Sequence, residues 1–196
     1  MNEFKPKSIR LSECVAEIGI RNLLKVIGAD PDREGLQATP ERVVKAFREM
    51  TRGENKDPTA ILERTFEDGS STEMIVLRGI RFVSLCEHHL MPFSGTATVA
   101  YIPNGNRVVG ISKLARLVQC FACRLQLQER LTRQVATTLH DTLKAKGAAC
   151  ILTAKHSCMG CRGVKQPDAE LVTSHLTGVL LTDPSAKAEL LQLKGQ

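Results

Sequence analysis

At 196 residues, with 42% apolar and 24% charged residues, the chain has the size and balance of one globular domain, or of a core domain with an appended segment. No apolar run approaches the roughly 18 residues of a membrane span, and the polar residues 1–7 lack the hydrophobic region of a secretory signal, so no membrane partner is expected. The net charge of +6 suits a polyanionic partner, but with no Trp and one Tyr a stacking platform for nucleic acid is poorly supplied, and none is expected as partner. Seven cysteines, an odd number without a secretory signal, predict a reducing cytoplasmic setting and thiols used for packing or metal.

In chain order, Ser12 is placed to cap a helix whose apolar face is Val15, Ile18, Leu23, Leu24 and Ile27, ending near Gly28. Thr39-Pro40-Glu41-Arg42 reads as a second start, with Thr39 as cap, Pro40 at the first position and Glu41 facing the positive end of the helix dipole. Val43, Val44, Phe47 and Met50 form its buried stripe, and a short helix from Asp57-Pro58 completes a helical N-terminal segment, residues 1–70. From Met74 the pattern turns to strands: 74–77, a break at Gly79, 81–85, and the β-branched run 95–102, closed by the turn Pro103-Asn104-Gly105-Asn106. After a short strand at Val108-Val109, Ser112 caps a helix with Leu114, Leu117, Val118 and Phe121 on one face. A longer helix follows Arg124-Leu125-Gln126, carries Leu127, Leu131, Val135, Leu139 and Leu143, and ends at Lys146-Gly147. Residues 149–156 and 171–181 read as strands, and Asp183-Pro184 starts a last helix. Strands, two helices, then strands predict an antiparallel sheet with its helices on one face, an α+β catalytic domain over 71–196.

Chemistry concentrates in two places. Cys86-Glu87-His88-His89 holds a Cys-x2-His spacing that can place sulfur and nitrogen on one borderline-soft cation such as zinc. Taken alone, the tetrad can also be read as a surface-loop thiol beside two solvated histidines. In an extended 150–158 segment, however, Cys150, Leu152, Ala154, His156 and Cys158 share one face, so Cys158 can join Cys86 and His89 with His156 alongside. A Cys2His zinc with an open fourth position is one of the catalytic arrangements, and His88 and His156 are then imidazoles with near-neutral intrinsic pKa beside it.

Five separated motifs, in order, resemble the GTP cyclohydrolase I family: Cys86-Glu87-His88-His89, Tyr101-Ile102-Pro103-Asn104-Gly105, Gly110-Ile111-Ser112-Lys113-Leu114-Ala115-Arg116, Gln128-Glu129-Arg130-Leu131-Thr132, and His156-Ser157-Cys158 with Arg162-Gly163. Ala38-Thr39-Pro40-Glu41-Arg42 fits as well. The resemblance implies a tunnelling fold, in which subunit sheets join into a barrel, and a homodecamer of two stacked rings with active sites between subunits. It implies conversion of GTP and water to 7,8-dihydroneopterin triphosphate and formate. By similarity Cys86, His89 and Cys158 bind Zn2+, His88 and His156 are the acid/base histidines, and Gln128 and Glu129 recognise guanine. Ser112, Lys113, Arg116 and Arg162, with Arg42, resemble the triphosphate contacts. Arg130 and Arg133 read as solvated cations on a helix face.

The residue types suit that chemistry. Opening an imidazole ring needs hydroxide, which zinc provides by lowering the pKa of its water to ~7. A glutamate can pair with the N1 and N2 edge of guanine, which adenine cannot supply. One feature departs from the family pattern: Cys161 makes Cys158-Met159-Gly160-Cys161 a Cys-x2-Cys. The alternative is therefore a closed Cys3His site in a catalytically silent paralogue, or in a nucleic-acid- or pterin-binding module. A nitrile reductase of the same architecture, with a cysteine nucleophile and no zinc, is disfavoured by the metal set.

Overall fold

The computed structural model describes residues 7–67, 72–105 and 107–195, which fall into two compact units, Met1–Met50 and Thr51–Gln196. The domain boundary expected at 70/71 lies outside the described residues, as does Asn106 of the expected turn; Gly105 takes a left-handed φ of 72°.

The first unit holds α1 (Lys7–Val26) and α2 (Thr39–Met50), which pack together. α1 begins ahead of Ser12, and α2 already includes Thr39, whose Oγ1 accepts from Arg42 rather than capping. The α2 stripe of Val43, Val44, Phe47 and Met50 is half-buried. The α1 face is not: Val15, Ile18, Leu23 and Ile27 all stay exposed.

The second unit opens with α3 (Thr59–Leu62), preceded by Asp57, whose Oδ1 accepts from the Thr59 amide at 2.9 Å. Then come β1 (Thr65–Glu67), β2 (Ile75–Cys86), β3 (Met91–Ile102) and β4 (Arg107–Val109). They are followed by α4 (Ile111–Ala122), β5 (Leu125–Gln126), α5 (Gln128–Leu143), β6 (Gly147–His156) and α6 (Ser157–Gly160). The chain ends with β7 (Leu171–Leu176), α7 (Val179–Thr182) and α8 (Pro184–Lys194). The main sheet runs β5-β2-β3-β6-β7, antiparallel except for the parallel β5–β2 pair, and β1 pairs with β4 separately. The two expected strands before Cys86 are one: at Gly79, φ 73°, the strand bulges and shifts register instead of breaking.

One sheet face carries Ala97, Val99, Tyr101, Cys150, Leu152 and Ala154, and packs on the expected helix stripes, Leu114, Leu117 and Val118 of α4 and Leu131, Val135 and Leu139 of α5. Leu62 of α3 joins that core. The alternate residues Ala100, Ala149 and Ile151 form a second cluster with Leu180 and Leu190, so α7 and α8 cover part of the opposite face. The C-terminal strand is shorter than expected. It stops at Leu176 because Gly178, at φ 56° with the Lys146 carbonyl 2.1 Å from where a Cβ would stand, turns the chain into α7. Asp183 caps α8 as expected, its Oδ1 accepting from the Ser185 amide at 2.8 Å.

Candidate metal centre and its surroundings

Residues 87–90 form the loop between β2 and β3. Cys86 pairs with Met91 across the hairpin, its carbonyl accepts from the Leu90 amide at 2.8 Å, and Leu90 closes the turn at a left-handed φ of 54°. On its other side Cys86 pairs with Gln126 of β5, whose carbonyl accepts from the Glu87 amide at 3.0 Å. That two-residue parallel strand, unforeseen from the sequence, holds the tetrad from behind.

Cys158 arrives from the neighbouring strand. β6 continues through His156 and turns into α6, so Cys158 reaches the hairpin from one helical turn rather than from further extended chain. The ligand atoms of Cys86, His89 and Cys158 lie within 4.8 Å of one another. Two thiols and one imidazole, converging from a buried, an intermediate and an exposed position, fit a tetrahedral zinc with a coordination position to spare. Cys161 is outside this group: it is exposed, and its Sγ lies 3.9 Å from Met91 Sδ.

His88 is exposed, its ring 6.3 Å from that of His89 and perpendicular to it. His156 is half-buried and stacks on Phe93 at 4.4 Å and 3°, its cross-strand partner. Burial pushes its pKa below the ordinary histidine value, and the Glu129 carboxylate partly offsets this. Burial, with Cys86 beside it, pushes the Cys158 thiol up. Arg162 Nη1 is 3.4 Å from His89 Nε2, so one expected phosphate contact stands next to the metal residues.

The other expected site residues divide. Glu129 is exposed in the first turn of α5, whereas the Gln128 side chain is buried and bonded at both ends, to His156 Nε2 (2.8 Å) and to groups on β6 and β7. Ser112 is not a cap. The N-cap is Gly110, and Ser112 and Lys113 begin α4 at the end where the Val109 amide donates to Tyr101 Oη. The far end of α4 leads to Arg124, whose carbonyl accepts from Ser84, close to Cys86. Roughly 15 Å of helix thus separates Ser112 from the end nearer the metal residues. Arg116, a turn further on, lines a pocket of about 280 Å³ with Arg52, Lys56 and Cys120. Arg42 donates within the first unit, to Gly35 O and Thr39 Oγ1.

Arg130 corrects the expectation of a solvated cation. It forms a bidentate pair with Glu87, 2.5 and 2.9 Å, that lowers the Glu87 pKa and ties the tetrad to the start of α5. Nothing around Arg130 in the sequence points to Glu87, 43 residues away. Because Glu87 directly follows Cys86, Arg130→Met is expected to speed zinc loss to a chelator, by no more than the roughly tenfold at the low end for groups bonded to a ligand itself, with little change in Tm. Unchanged release kinetics would show the pair to be incidental.

The family model described as GTP cyclohydrolase I matches residues 16–195. GTP cyclohydrolase 1 of Dehalococcoides mccartyi (strain CBDB1) is 47% identical over 175 residues, 89% of this chain and 92% of the relative. That of Nitrosospira multiformis is 50% identical over 183 residues, 91% and 95%, and that of Rickettsia bellii 48% over 179 residues, 91% and 93%. The crystal structure of the apo archaeosine synthase QueF-Like overlaps 54% of this chain and 93% of its own, at TM-score 0.44 and 18% identity, too slight to bear on the assignment. With a family model spanning nearly the whole chain and relatives at about half identity, the protein belongs to the GTP cyclohydrolase I family.

Proposed function

We propose that the protein converts GTP and water to 7,8-dihydroneopterin triphosphate and formate, with one zinc ion held by Cys86, His89 and Cys158. The observation that carries this reading is the convergence of those three ligand atoms within 4.8 Å, flanked by His88 and His156. When bound, zinc supplies a water activated for attack at neutral pH. His88 and His156 move the protons of ring opening and of the later ribose rearrangement and closure. His156, kept neutral by burial, is suited to take a proton first. Glu129, unburied at the head of α5, accepts from the N1 and N2 edge of guanine, while Gln128 serves that site from beneath, through His156. Ser112, Lys113, Arg116, Arg162 and Arg42 hold the triphosphate.

The reading includes a homodecamer of tunnelling-fold subunits, in which 1–70 is a helical appendage to the catalytic 71–196 and active sites form between copies. The separation of Ser112 and Lys113 from the metal residues supports it, since a single GTP would take them from different subunits. So do the exposed apolar face of α1 and the edge strand β7, with Val172 58% exposed and no further strand beside it among the described residues. No described helix is long and apolar enough to cross a membrane, and a cytoplasmic location is proposed with the activity.

The test is GTP turnover read as the fluorescent oxidised pterin together with formate, with and without a chelator. Zinc-loaded oligomer that releases no formate from GTP would refute the proposal. The position of Cys161 favours an open metal site over a closed Cys3His one. Zinc-edge absorption under reducing conditions is therefore expected to show two sulfur ligands in wild type and in Cys161→Ala, whose activity stays close to wild type. Three sulfurs falling to two in the variant would establish the closed, structural site.

A further inference from the structure

We infer that Gln128 is a positioning residue that decides which nitrogen of His156 carries the proton. The Gln128 side chain is 1% exposed, and its amide nitrogen lies 2.8 Å from Leu171 O, 3.1 Å from Thr173 Oγ1 and 3.3 Å from Leu152 O. Backbone carbonyl oxygens only accept hydrogen bonds, so the group facing Leu171 and Leu152 has to be the NH2. The amide oxygen is then the atom 2.8 Å from His156 Nε2.

The neighbouring hydroxyls enforce the same polarity. Thr132 Oγ1 is 2.7 Å from the main-chain carbonyl oxygen of Gln128, to which it can only donate. With its hydrogen committed there, Thr132 Oγ1 accepts from Thr173 across 2.6 Å. Thr173 Oγ1, its own hydrogen spent, is left to accept from the Gln128 NH2. Every donor in this chain points one way, and rotating the amide would set NH2 groups and carbonyls against the wrong partners.

An amide oxygen carries no hydrogen, so His156 Nε2 must donate to it. In the neutral ring Nδ1 is then the bare nitrogen, because the hydrogen bond at one ring nitrogen sets the state of the other. The ring is held in this orientation by its stack on Phe93, whose backbone pairs with His156 between β3 and β6. Resting on the proposed acid/base role of His156, this makes Nδ1 the bare nitrogen that the ring offers, and Gln128 the residue that fixes it so.

The test reads the ring directly and needs no turnover. Zinc-loaded protein is labelled with 15N-histidine, and solid-state NMR at pH 8 separates bare from protonated ring nitrogens. With five histidines in the chain, a His156→Asn spectrum identifies the His156 signals. The expected result is a protonated Nε2 and a bare Nδ1 in the wild type, moving to a mixture of both forms in Gln128→Met. Kinetically, Gln128→Met should lower kcat by no more than the roughly 10²–10⁴-fold that an acid/base group itself contributes, with KM for GTP little changed. A bare Nε2 in the wild type overturns the inference, and this measurement stands even if the variant does not fold. Unaltered His156 signals in Gln128→Met, or a raised KM with kcat retained, also overturn it and assign Gln128 to guanine binding instead. Loss of the proposed GTP reaction as a reading would leave the wild-type spectrum unaffected, so the two failures are distinguishable.

Discussion

Cys86→Ala is expected to lose zinc and turnover together while keeping the fold. The thiol closes β2 at 6% exposure, but what holds the hairpin there is backbone: the pairing with Met91 and Gln126 and the bond from the Leu90 amide to the Cys86 carbonyl. None of these needs the side chain, and removing one buried sulfur costs about 1 kcal/mol, the centre of the usual range for point changes. The metal has no such reserve. With three protein ligands, removing one leaves Cys158 and an exposed His89, too few to hold the ion against a competing chelator. Zinc binding is also expected to weaken as pH falls. The Cys158 thiol is pushed above its ordinary value by burial and by Cys86, so it is protonated in the metal-free protein at neutral pH and must release that proton to bind. Raising pH removes this competition and lowering it adds to it, so competition with a chelator should show tighter binding at pH 8 than at pH 6. Full activity in a metal-free preparation of wild type would contradict the whole assignment.

Besides the family motifs, what could be read from the sequence was local: the periodicity of apolar residues and the spacing of metal ligands. Leu131, Val135 and Leu139 at helical spacing, and Cys150, Leu152 and Ala154 at strand spacing, are all buried in the same cluster, because local period decides which face is apolar. The convergence of Cys86, His89 and Cys158 followed from the strand period of 150–158, although the last step is a helical turn. What escaped depends on partners distant in sequence. Gly79 could as well end a strand as bulge it; only the register of β3 alongside decides. Gly178 ends β7 because the Lys146 carbonyl is in the way, over thirty residues earlier in the chain. Ser112 lost the cap to Gly110 by two positions, within the usual imprecision of helix ends. Arg130 and Gln128 sit on one helix turn whose exposed or buried character the sequence leaves open. Their partners, Glu87 and His156, come from two other strands' ends, and it is those that give each side chain its work.

The two histidines should behave alike in catalysis and differently in stability. His88→Ala and His156→Ala are each expected to keep zinc and to lose turnover by ~10²–10⁴-fold, the usual contribution of a general acid or base. His88 is an exposed residue of the hairpin loop, so its removal should leave thermal stability within roughly 0.5 kcal/mol of wild type. His156 lies against Phe93 and takes up the Gln128 amide oxygen. Its removal uncovers the Phe93 face and strands a buried acceptor, which costs roughly 1–3 kcal/mol. The pH dependence gives His156 a second signature. Burial holds the His156 pKa below the ordinary histidine value, so on acidification the unfolded chain takes up a proton at this residue before the folded one does. The wild type therefore gives up stability from His156 as pH falls below the ordinary value, and the loss stops growing once the depressed value is passed. A plot of Tm against pH for His156→Ala should lack that decline, starting lower at pH 8 and converging toward wild type as the pH falls. Loss of zinc from His88→Ala would mean that His88 and His89 exchange roles, and a His156→Ala curve parallel to wild type would mean that the buried ring is not the titrating group.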